Sequence, residues 1–106
     1  MADDNQELIE YRQKVVAEVQ VRAVKVQEIE VEIARVDAVV KELRDGMVLR
    51  GQAGVGQVRE AHLRVHRQRS DALQAELERA VADLARAERR LVEVDERIEE
   101  EALIGE

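Results

Sequence analysis

A chain of 106 residues with a net charge of −7 is one domain at most, and its acidity disfavours a general nucleic-acid or acidic-membrane binder. It has no cysteine, no proline and one aromatic residue, Tyr11, so disulfides, thiolate chemistry and an aromatic core are all excluded. Charged residues are 39% and hydrophobic ones 45%, a balance that points to long helices or coiled coil; the regular spacing of the aliphatic residues argues against disorder.

The N-terminal Met1-Ala2-Asp3-Asp4-Asn5 is acidic and lacks an apolar core, so no cleavable signal peptide is expected. No apolar run is long enough to span a bilayer, and no membrane insertion is expected. The expected location is the cytoplasm, with export only through a system that works without a signal peptide.

From about residue 5 to about 44, apolar residues recur in steps of three and four: Leu8, Val15, Val19, Val26, Ile29, Ile33, Val36, Val40, Leu43. That spacing marks one stripe of a long helix. Arg12 and Arg22 stand where the rhythm expects an apolar side chain. A second, weaker row runs along the back of the same helix: Ala17, Val21, Val24, Val31, Ala38. Scattered surface valines need no explanation by themselves, but a row on one face is a candidate partner surface.

Residues 45–56 hold four of the five glycines, and neither stripe passes through them. Asp45-Gly46 is read as a helix stop, because glycine accepts the left-handed conformation that closes many helices. The segment Gly51-Gln52-Ala53-Gly54-Val55-Gly56 superficially resembles a phosphate-binding loop, but no strand precedes it and it has no lysine, so it reads as a turn. Met47, Val48, Leu49, Val55 and Val58 form an apolar cluster that either closes the end of the hairpin or grips another protein.

The second helix is predicted over about 57–102, with the stripe Leu63, His66, Ser70, Leu73, Leu77, Ala80, Leu84, Ala87, Leu91, Val94, Ile98 and a weaker back row, Ala61, Val65, Ala72, Ala75, Ala82. Folding back antiparallel sets Leu43 opposite Leu63, Ile33 opposite Leu73, Ile29 opposite Leu77, Val26 opposite Ala80, Val19 opposite Ala87, Val15 opposite Leu91 and Leu8 opposite Ile98. Every stripe position meets a stripe position, so the fold class is all-α: an antiparallel two-helix coiled-coil hairpin. Two helices cannot enclose a core, so a four-helix bundle is expected, a dimer of hairpins or a pairing with a related chain. Glu10–Lys14, Glu18–Arg22, Asp37–Lys41 and Glu93–Arg97 are spaced to add helical ion pairs of a few tenths of a kcal/mol. Cations gather near the turn (Lys41, Arg44, Arg50, Arg59, Arg64, Arg67, Arg69) and acids near both termini, so head-to-tail contact or an acidic partner at the turn is one reading, and simple solvation the other.

Chemistry is sparse. Ser70 is the single serine, and only His66, one turn earlier, could act as its base; there is no triad. His62 and His66 could be half of a zinc site, but a third and a fourth ligand are needed and only Glu60 and arginines lie nearby. No catalytic residue, cofactor or metal is expected. Hairpins that enter the secondary channel of RNA polymerase carry acidic tips to hold a metal, and this turn is basic.

A chain of about a hundred residues with two antiparallel helices and a turn reading Leu49-Arg50-Gly51-Gln52-Ala53 resembles the WXG100, or ESAT-6-like, small proteins of type VII secretion. Where that family has Trp-x-Gly, this chain has Leu49 and Gly51. The family's Tyr-x-x-x-Asp/Glu export signal is not matched: Leu91 stands four residues before Asp95, and Tyr11 is in the first helix. The resemblance implies a dimer partner that lacks the signal. The alternative is a cytoplasmic coiled-coil adaptor or chaperone, similar to secretion stalks or prefoldin-like holdases, or a structural spacer. On either reading the expected work is protein binding as a homodimer or heterodimer. Val21, Val24, Val31 and Ala38 are the candidate contacts on the first helix, and Met47, Leu49, Arg50 and Gly51 those at the turn.

Overall fold

A computed structural model describes the backbone of residues 2–50 and 53–104 and the side chains of residues 5–46 and 59–104. Helix α1 runs Ala2–Arg50 and helix α2 runs Ala53–Ile104, and the two pack against each other as a hairpin, with no strand among the described residues. Both helices are longer than their patterns predict. α1 passes through Asp45-Gly46 instead of stopping there, and α2 resumes at Ala53, inside the expected turn. The physical reason is the size of the signal. A glycine costs a helix only about 1 kcal/mol against alanine, each further residue closes another backbone hydrogen bond, and no proline removes one.

Gly46 has a second role within the helix. A Cβ built on it would stand 2.5 Å from Nη1 of Arg59, so the arginine of the returning chain lies across the bare backbone. Because that contact is the far end of a flexible side chain, Gly46→Ala should displace the guanidinium and then gain helix propensity, raising stability by about 1 kcal/mol. Chemical denaturation reads the sign. A loss of similar size would show that residue 46 needs the left-handed conformation of a helix stop.

Contacts divide the chain into two units. Unit one joins Met1–Val26 with Arg79–Glu106. Its buried residues are Val15, Val26, Ala80, Ala87 and Val94, with Leu8, Val19, Leu84, Leu91 and Ile98 half-buried around them. Unit two is Gln27–Glu78, where Ile29, Ile33, Val40, Leu63 and Leu73 are buried and Val36, Leu43, His66, Ser70 and Leu77 half-buried. Every residue assigned to the two stripes is therefore buried or half-buried. The polar links between the helices give the direction: within unit one Arg12 bonds Asp95, Glu18 bonds Arg90 and Arg22 meets Asp83, and within unit two Glu32 bonds Arg69 and Asp37 bonds Ser70. Within unit one, as the first partner advances along α1 from Arg12 to Arg22 the second recedes along α2 from Asp95 to Asp83, which is the antiparallel direction expected.

Candidate partner-binding surface

The two arginines that interrupt the first stripe are not buried. Arg12 Nε donates to Asp95 Oδ1 at 2.6 Å, and Arg22 reaches Asp83 at 3.5 Å and Glu18 at 3.8 Å, all with side chains a third or more exposed. A long side chain at a seam position can lay its stem along the seam and carry its charge out to the flank. Arg90 adds to the same cluster through a 2.6 Å bond to Glu18, as does Arg86 through its contact with Asp83. Glu18, Arg22, Asp83, Arg86 and Arg90 thus form a continuous charged edge of unit one. Exposed pairs of this kind contribute about 0–1 kcal/mol each, so the edge sets register and solubility more than stability.

In unit two Arg69 Nη2 donates to Glu32 Oε1 at 2.6 Å, and this hydrogen bond, followed by the charge of the same carboxylate, holds the Arg69 guanidinium above its usual pKa. Ser70 Oγ donates to Asp37 Oδ1 at 3.1 Å, which satisfies a hydroxyl in the seam. His66 is half-buried and His62 exposed. Among the described residues no three His, Cys, Asp or Glu side chains are grouped to hold a metal, and no helix is long and apolar enough to cross a membrane. Two depressions are open and edged by charged side chains: in unit one Glu7, Arg97 and Glu101 stand with Tyr11 around Leu8, and in unit two Glu60, Arg64, Arg67 and Asp71 around Leu63.

The opposite edge of unit one is different in kind. Val16 lies two residues, about 200° of helix, from Glu18, and Val81 stands in the same relation to Asp83. Val16 and Ala23 are half-buried, and Val81 and Val92 are exposed. The core residues nearest this edge, Val19, Leu84, Leu91 and Ile98, stay half-exposed, whereas Val15, Ala80, Ala87 and Val94, beneath the charged edge, are buried. The charged edge is covered along its length, whereas the other edge carries the Arg12–Asp95 pair near one end and is open beyond it.

The back row keeps its expected place on the surface. Val21 is 68% exposed, Val24 51% and Val31 50%, with Ala17 and Ala38 also exposed. The row on α2 is exposed too, Val65 together with Ala61, Ala72, Ala75 and Ala82. The candidate contacts at the turn fall elsewhere: the side chains of Met47, Leu49 and Arg50, and Gly51 altogether, lie outside the described residues. Sequence reasoning missed the charged edge and the open one, because it counted ion pairs within each helix. Of the four expected pairs Glu18–Arg22 forms, while Glu10 accepts from Gln6 Nε2 at 3.4 Å and Asp37 takes the hydroxyl of Ser70. The signal was present: flanking the antiparallel stripes, Glu18 and Glu32 on one helix have Arg90 and Arg69 as opposites on the other. Comparison with protein-family models, with curated proteins and with solved structures found no match to this chain.

Proposed function

We propose that this chain is a non-enzymatic protein–protein interaction module that binds through the outer face of α1 and completes its core in a four-helix bundle with a partner hairpin. The observation that supports this reading most is the set of aliphatic side chains left half or more in solvent, Val21, Val24 and Val31, on a helix whose inner stripe is already packed against α2. Exposed single valines are ordinary; several on one helix face, flanked by Ala17 and Ala38, make an apolar row of the kind that partners cover. The role fits a WXG100-like small protein of type VII secretion or its signal-lacking partner, with Leu49, Arg50 and Gly51 at the turn as the motif residues. It fits equally a coiled-coil adaptor or chaperone that uses Met47 and Leu49 to hold its client.

Val24→Asp combined with Val31→Asp tests the face. Both sites are on the surface, so circular dichroism should show unchanged helicity, while partner capture and the mass seen by light scattering should report association weakened by about tenfold or more. Unchanged association would place the contact on another face.

A further inference from the structure

We propose that the open edge of unit one is covered by a second copy of this chain, α1 against α1, antiparallel about a two-fold axis through Gln20. This rests on the interaction reading and names its partner; of the candidate face it keeps Val24 at the contact and sets Val21 at the rim.

The first support is the order of residues around Gln20. Val16 and Val24 are mirror images about it, as are Ala17 and Ala23, and one step further out Gln13 and Gln27. A two-fold helix pair requires that if residue i touches j, then j touches i, so each side chain must fit its mirror mate. A stretch that reads alike in both directions meets that requirement with valine against valine and alanine against alanine.

The second support is where these residues lie. Val16, Ala17, Ala23 and Val24 each stand three or four residues from Gln20, which groups them around it on one side of the helix, and all five are exposed or half-buried. None carries a charge. At a two-fold axis a charged residue meets its own like charge, whereas the amide of Gln20 both donates and accepts and can bond its own copy. An acidic or basic partner helix would find no complementary charge among these five residues.

The third support is area. The chain exposes 8217 Å², whereas a compact chain of its mass exposes about 6,000 Å². The excess of roughly 2,200 Å² is well above the ~800 Å² per partner that a standard interface covers.

The chain has no cysteine of its own, so single cysteines map the axis directly. Under mild oxidation Gln20→Cys should form a disulfide-linked homodimer about tenfold or more faster than Val21→Cys, since only the axis residue meets its own copy. Val21 is the more telling control because it is 68% exposed yet turned about 100° from Gln20. Val16→Cys and Val24→Cys should link slowly alone and quickly when mixed. Val21→Cys linking as fast as Gln20→Cys, or either flanking variant linking alone as fast as the mixture, overturns the two-fold. If that happens while Val24→Asp with Val31→Asp still abolishes capture, the interaction reading stands and only the identity of the partner falls.

Discussion

Shortening Ile33 or Leu73 to alanine lowers the stability of the hairpin by about 2–5 kcal/mol each, and shortening both costs less than the sum. The two side chains are 8% and 3% exposed, so each truncation removes apolar surface already out of water and leaves a void. The Glu32–Arg69 and Asp37–Ser70 links lie beside them in unit two, and the expected register sets the two opposite each other across the seam. Facing residues share one cavity when both are cut, so the second truncation enlarges a void that already exists. The expected coupling is about 0.5–3 kcal/mol. Leu63, also buried, is opposite Leu43 in the same register, ten residues along α1 from Ile33, and Ile33→Ala with Leu63→Ala should therefore add to within about 0.5 kcal/mol. Urea denaturation of the five variants reads all of this. Losses of this size are a large share of the roughly 5–15 kcal/mol that holds a chain this long, so the double variant should be measured at low temperature. Additivity at the Ile33–Leu73 pair, with coupling at the other, would shift the register.

The seam was legible in the sequence because its signal is large and repeated. Apolar side chains every three or four residues can be satisfied in one way only, by facing a second stripe, and each of Val15, Ile29, Ile33, Leu73 and Val94 adds to the same answer. Arg12 and Arg22 stood out in the pattern for a reason the structure supplies: both turn to acids on the flank, Asp95 and Asp83. The helix ends were less legible. Gly46 carries a preference of about 1 kcal/mol, and that is too weak to halt a helix still making backbone bonds and packing against Arg59. The surface was legible only in part. Val21, Val24 and Val31 could be picked out as apolar residues off the seam, but which edge is covered depends on the pairing of two helices, which periodicity within one helix does not contain. The distinction between the charged edge at Glu18 and Arg90 and the open edge at Val16 and Ala23 appears only once the register is set, because it needs residues some seventy positions apart. That distinction supports the proposed reading: the edge that carries fewer cross-helix ion pairs is the one a partner hairpin would cover.

Ala87→Leu should destabilise the chain by about 1–3 kcal/mol, although leucine is the better seam residue by any count of apolar area. Ala87 is the most deeply buried residue described, at 0% exposure, and it is among the smallest. In the register set by the cross-helix links it faces Val19, and the Glu18–Arg90 bond at 2.6 Å and the Arg22–Asp83 pair flank that layer. Area bookkeeping alone would credit a buried leucine with about 1.5–3 kcal/mol. That gain requires a space to enter, and an alanine with no exposed surface leaves none. The added atoms must push α1 from α2 or take up strained rotamers, and the helices cannot separate without stretching the ion pairs on either side. The expected shift in melting temperature is a fall of several degrees. Val19→Ala placed beside Ala87→Leu should recover part of the loss, because it restores volume on the facing side, whereas Val15→Ala, whose side chain faces Leu91, should add a further loss. Thermal unfolding followed by circular dichroism distinguishes these outcomes. A higher melting temperature for Ala87→Leu alone would mean that the helices are not in close contact at this layer, and the close-packed base of unit one, on which the covered-edge and open-edge contrast depends, would go with it.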